Sequence, residues 1–170
     1  MSGPKAHQFV EYMTTTRSPE AALPGHLAHG KLTKLLGYNL AQASIPTNNI
    51  FKRQIGAAFE LNKLEFTVLM LLASNSEVTS KRLSLALNIP APNLTLLLDR
   101  LEKRALLLRE RSETDRRVQY VKLTPQGQTM VAAMDAQSDA MEQELLGHLT
   151  HAERAMLFEL LRKVAVHRRG

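Results

Sequence analysis

Residues Arg109 to Gly127 read RERSETDRRVQYVKLTPQG, and this stretch constrains the fold more than any other. Two β-patterned segments flank a tight charged tip, Ser112-Glu113-Thr114-Asp115-Arg116-Arg117. The second segment, Val118 to Leu123, runs directly into Thr124-Pro125, an N-cap residue followed by a proline suited to a first helical turn. A short hairpin is therefore wedged between helical segments, and the expected class is mainly α with a small β-hairpin.

The residues before the hairpin read as three helices. Asn62 is a good N-cap, and Glu65 stands three residues on in capping-box spacing. The run Phe66 to Ala73 is apolar nearly all round, as a buried central helix requires. Thr79 can cap a short helix with Leu83, Ala86 and Leu87 inward, and Asn88 tolerates the left-handed turn that would follow. Ile89-Pro90-Ala91-Pro92 opens the next helix, in which Leu94, Leu97, Leu98 and Leu101 form an i, i+3, i+4, i+7 stripe. Pro92, Leu96, Asp99 and Lys103 point the opposite way, flanked by Asn93, Thr95 and Arg100.

Both ends of the chain carry further helical pattern. Leu32, Leu35, Leu36 and Leu40 recur near 3.6 residues, Pro46 interrupts, and Ile50, Phe51, Ile55 and Phe59 resume the stripe. This is either two helices joined at 44–49 or one helix kinked at Pro46. After the hairpin, Met130, Met134, Met141, Leu145 and Leu149 lie with Ser138 on a heptad-like seam, opposite Asp135, Asp139, Glu142 and Glu144, read as a solvated face. Thr150 and Glu153 form a second capping box before a stripe of Leu157, Leu160, Leu161 and Val164. Residues 1–25 contain Arg17-Ser18-Pro19 and Leu23-Pro24-Gly25 and read as an arm, either a disordered tail or an ordered extension.

Composition narrows the function. The formal charge of +6 favours a polyanionic partner. Aromatics make up only 5%, so no stacking platform for single strands is evident. Without cysteine there is no disulfide, thiolate zinc site or thiol chemistry. His26/His29 and His148/His151 have helical spacing but read as surface histidines, and no metal or other cofactor is expected. No Gly-rich phosphate loop, nucleophile elbow or HExxH motif points to an enzyme. No secretory signal or membrane-spanning run is visible, so a cytoplasmic protein without a membrane partner is expected.

The short helix, the Asn88 turn and the next helix make a helix-turn-helix, and the hairpin adds a wing. The expected organisation is an arm at 1–25, dimerisation or ligand-side helices at 26–61, a winged helix-turn-helix domain at 62–123, and C-terminal dimerisation helices at 124–170. At this point the chain resembles the MarR family of bacterial transcriptional regulators. The resemblance covers residues 36–167 and rests on Asp115-Arg116-Arg117 followed by Leu123-Thr124-Pro125-Gln126-Gly127, similar to the family's D-R-R … L-T-P-x-G. Asp99-Arg100-Leu101-Glu102-Lys103-Arg104 is similar to the family's recognition-helix ending. The resemblance implies a homodimer on palindromic double-stranded operator DNA, acting as a repressor and released by a small organic effector, an aromatic acid or its thioester.

It also implies that Arg117 reaches the minor groove, where a narrow groove concentrates negative potential. Asp115 is expected to orient an arginine, and Arg111 and Arg116 to contact phosphates. Asn93, Thr95 and Arg100 can donate to bases or phosphates, beside Pro92 and Leu96 on the outward face. Ser80 and Lys81 open a helix whose N–H groups suit a phosphate. Tyr38, Arg53, Phe59 and Phe66 are the candidate effector residues. Two positions depart from the family pattern. Ala105 stands where glycine is usual, costing about 1 kcal/mol if left-handed. Pro90 to Leu96 lacks the usual Ser or Thr with Arg, and Leu96 can touch only a thymine methyl. The alternative is a winged-helix protein-interaction module that binds DNA without sequence preference.

Overall fold

The computed structural model describes residues 27–112 and 118–167. The chain separates into two compact units, Met1–Ala43 and Ser44–Gly170. The first holds a 3-10 turn, Gly30–Lys34, and the start of helix α1 (Leu36–Phe51). Its leucines Leu27, Leu32, Leu35, Leu36 and Leu40 are all exposed.

Helix α1 is continuous through the position where the sequence left two readings open: Pro46 lies inside it, so the chain there is one helix and not two. It passes into a π-helical turn, Lys52–Gly56, and a short α2 (Ala57–Phe59). Helix α2 ends at Glu60, left-handed at φ 54°. Ile50, Phe51 and Ile55 from this segment bury themselves with Met141.

Both predicted capping boxes form. Asn62 accepts from the backbone N–H of Glu65 at 3.0 Å, and its own N–H donates to the Glu65 carboxylate at 2.9 Å, starting α3 (Lys63–Ala73). Thr150 and Glu153 do the same for α7 (His151–Val166). The Thr150 backbone N–H and hydroxyl hold the Glu153 carboxyl below its ordinary range. Between the boxes lie α4 (Ser80–Leu87), α5 (Ala91–Lys103), β1 (Leu107–Arg111), β2 (Gln119–Leu123) and α6 (Pro125–Leu146).

The main core gathers Val68, Leu69 and Leu72 of α3, Leu83 of α4 and the predicted leucine stripe of α5. Leu106, Leu107 and Val121 close it from the hairpin, and Val131 and Met134 from α6. Much of the seam expected to await a partner is therefore used inside the chain: Met134 and Met141 are buried. Helix α7 is different. Met156, Leu157, Phe158, Leu160, Leu161 and Val164 are exposed.

The hairpin starts two residues earlier than its charge pattern implies, with Leu107 opposite Leu123 and Arg111 opposite Gln119. A third segment joins it. The Val121 N–H donates to Val78 O at 2.7 Å, and Thr79 bridges Tyr120, so the entry to α4 is fixed to the wing.

Candidate nucleic-acid interface

The interface is built from α4, the Asn88 turn, α5 and the hairpin. The Thr79 hydroxyl accepts from Arg82 N–H, capping α4. Ser80 is partly buried in the first turn and Lys81 is exposed beside it. Asn88 is left-handed at φ 52°, as its side chain permits. The Ser84 hydroxyl closes the turn on Ile89 O at 2.6 Å.

Helix α5 divides sharply. Leu94, Leu97, Leu98 and Leu101 are buried, while Pro92, Asn93, Thr95 and Leu96 are exposed. Leu96 is 62% exposed, far above what a core leucine would be. The Thr95 hydroxyl donates back to Ala91 O at 3.0 Å.

Arg100, expected to donate to DNA, is also a structural clasp. Its Nε donates at 3.0 Å to Glu65 Oε1, while Oε2 of the same buried carboxylate completes the α3 capping box. The rest of the side chain is open, at 58% exposure. Arg104, the last residue of the segment similar to the family's recognition-helix ending, grips the end of α2. Its two terminal nitrogens donate to Glu60 O at 2.8 Å and Phe59 O at 2.9 Å.

The residue that sequence reasoning missed is Arg109. Its Nη2 lies 2.6 Å from Asp99 Oδ1 and its Nη1 3.1 Å from Glu102 Oε2. Asp99 and Glu102 are one helical turn apart, so both carboxylates face the same strand. That spacing, beside an arginine at the start of a β-segment, was the available signal. Arg109 thereby ties the wing to α5. Arg111 is exposed at the far end of β1. Asp115, Arg116 and Arg117 lie outside the described residues.

The hairpin's other anchor is the L-T-P-x-G segment. Thr124 caps α6 by accepting from Gly127 N–H at 3.0 Å. Its hydroxyl donates to Ala105 O at 2.6 Å, and its N–H donates to Leu106 O at 3.1 Å. A Cβ on Gly127 would stand 1.9 Å from Leu106 O, so only glycine fits. Ala105 itself is left-handed at φ 53°, the strained case the sequence anticipated.

The four effector candidates fall in both units. Tyr38, in the first unit, is hydrogen-bonded to His29. Arg53, in the second, pairs with Glu144, which the sequence read as solvated. Phe59 and Phe66 pack against both apolar clusters, and Phe66 meets Phe51 edge-on at 5.5 Å. A separate recess of about 410 Å³ is lined by Phe51, Ala57 and Leu61 with Lys52 and Lys63. His148 lies in the turn between α6 and α7, and His151 is the first residue of α7. Among the described residues, no three His, Asp or Glu side chains converge as metal ligands.

Known proteins share this arrangement. The family described as transcriptional regulator SarA/Rot matches residues 50–134. The transcriptional regulator HosA of Escherichia coli is 30% identical over 105 residues, 62% of this chain and 78% of HosA. The transcriptional repressor CouR bound to a 23-mer DNA duplex is 32% identical, with a TM-score of 0.76 over 82% of this chain and 98% of CouR. CouR bound to p-coumaroyl-CoA gives 29% identity and a TM-score of 0.71 over 85% and 99%. Apo MarR of Escherichia coli is 26% identical, with a TM-score of 0.65 over 76% and 96%. With the helix-turn-helix, the wing and the interlocked L-T-P-x-G segment all in place, the chain belongs to the MarR/SarA family of DNA-binding winged-helix transcriptional regulators, and is a regulator and not an enzyme.

Proposed function

We propose that the protein is a cytoplasmic repressor that binds a palindromic operator as a homodimer and leaves it when a small organic acid or thioester binds. The observation that carries this reading is the pairing of an outward reading face on α5 with an uncovered apolar face on α7. The first gives one half-site. A second copy covering the other gives the two-fold symmetry that a palindrome matches.

CouR, seen with both a DNA duplex and p-coumaroyl-CoA, supports the ligand-released part. Here the effector candidates are Tyr38, Arg53, Phe59 and Phe66. The recess lined by Phe51, Ala57 and Leu61 with the Lys52 and Lys63 side chains adds mainly apolar walls, a surface suited to the apolar part of such a ligand. The DNA contacts are those of Ser80, Lys81, Pro92, Asn93, Thr95, Leu96, Arg100 and Arg111, with Arg116 and Arg117 at the tip.

A second reading is favoured by one observation. Leu85 and Leu96 are 69% and 62% exposed on neighbouring helices, and such a face also suits a protein partner.

The deciding experiment is fluorescence anisotropy with the DNA upstream of the protein's own gene, against scrambled DNA, over a salt series. A preference of about 10³-fold at near-physiological salt is expected. Equal binding to both duplexes that collapses as salt rises would favour the second reading.

A further inference from the structure

We propose that α5 reads two consecutive A·T base pairs in each half-site, with Asn93 on an adenine and Leu96 on a thymine methyl. The proposal rests on the reading of α5 as the DNA-recognition helix, whose N-terminal residues meet base edges.

Elimination along α5 singles out these two residues. Guanine is recognised in the major groove chiefly by arginine or lysine donating to O6 and N7. No such side chain stands in the first two turns of α5: the exposed residues there are Ala91, Pro92, Asn93, Thr95 and Leu96. The first cation, Arg100, lies seven residues beyond Asn93, roughly 10 Å along the axis. Its Nε is held by Glu65, so its open Nη groups fall on a phosphate or on a pair outside the two that Asn93 and Leu96 meet. Lys103 lies ten residues beyond Asn93, roughly 15 Å along the axis.

Among the exposed side chains, the Thr95 hydroxyl already donates to Ala91 O, which leaves it no proton for a base acceptor. Asn93 makes no such commitment within the described residues and is exposed. A carboxamide matches the N6–H and N7 edge of adenine with one donor and one acceptor. Leu96, 62% exposed, offers only methyl groups. In the major groove the one apolar base-edge group is the thymine 5-methyl, and a leucine placed against any other edge would strip water from polar atoms without replacing it.

The spacing fits. Residues three apart on a helix are neighbours on one face, about 5 Å apart, which compares with a base-pair rise of about 3.4 Å. Asn93 and Leu96 thus meet adjacent pairs, and their side chains favour A·T at both.

The test uses the full chain and a duplex library with a randomised centre. Selected half-sites are expected to carry adjacent A·T pairs at matching positions in both halves. Each thymine of the best duplex is then replaced in turn by deoxyuridine, which removes the methyl and nothing else. One replacement per half-site is expected to weaken binding about fourfold, the value of one buried methyl. Leu96→Ala, a surface change, should abolish that difference, and Asn93→Ala should relax selection at the neighbouring pair by about tenfold.

Specific binding that tolerates every deoxyuridine, or that selects G·C at these positions, would overturn the proposal and leave the regulator reading intact. Failure to enrich any sequence would overturn both, and point to a protein partner on this face.

Discussion

The guanidinium of Arg109 on β1 stands 2.6 Å from Asp99 of α5 and is only 20% exposed, so the wing is ion-paired to the helix it accompanies. Its second arm reaches Glu102 at 3.1 Å. Replacing Arg109 with methionine keeps the aliphatic bulk and removes both pairs. Two facing carboxylates then lose their shared cation, and the wing loses its tether to α5. Operator affinity is expected to fall by about tenfold or more, while the midpoint of urea unfolding moves little, because these partly exposed pairs are screened. An unchanged affinity by anisotropy would mean that the core contacts of Leu107 and Val121 orient the wing unaided.

The strain at Ala105 gives a prediction in the opposite direction. At φ 53° the Cβ crowds the backbone, and glycine has no Cβ to crowd. Ala105→Gly is expected to stabilise the protein by about 1 kcal/mol in urea denaturation. The carbonyl of this residue accepts from Thr124, so relief of strain leaves the anchor in place. A loss of stability would show that the flexibility glycine gives the unfolded chain outweighs the strain removed.

Gly127 is the converse case. Its α-carbon lies against the Leu106 carbonyl, the same oxygen that accepts from Thr124 N–H. Gly127→Ala would force these backbones apart at the start of α6. A destabilisation of about 3 kcal/mol is expected, comparable to severe overpacking. Denaturation at constant m-value would check it, since a changed m-value would signal a different folded state.

Much of this was legible in the sequence because it depends on local rules. The Asn62–Glu65 and Thr150–Glu153 boxes, the Asn88 turn and the Leu94–Leu101 stripe follow from spacing alone, and each appears as read. The clasps were harder to see. Arg100–Glu65 spans 35 residues and Arg104–Phe59 spans 45, and no periodicity encodes which distant carbonyl or carboxylate a surface cation will find. The seam on α6 was ambiguous for a related reason. Met134 and Met141 have a spacing that suits a partner helix equally well in the same chain or another, and here the chain's own Ile50, Phe51 and Ile55 surround Met141. The π-helical turn at Lys52–Gly56 has no counterpart in a 3.6-residue pattern.

Helix α7 supplies the final prediction. Leu160 is 51% exposed, with Leu157, Leu161 and Val164 exposed around it. A helix with so many uncovered leucines contributes little to the monomer's core, so a charge placed there acts chiefly on association. Leu160→Asp would bury a carboxylate in the proposed dimer contact without a partner. Sedimentation at micromolar concentration is expected to change from dimer to monomer, while the helical circular dichroism signal persists. Operator binding should weaken with it, because two half-sites joined through one dimer gain an effective concentration that a monomer lacks. A variant that stays dimeric and binds its operator unchanged would move the dimer contact elsewhere, and the exposed leucines of α7 would then need another explanation.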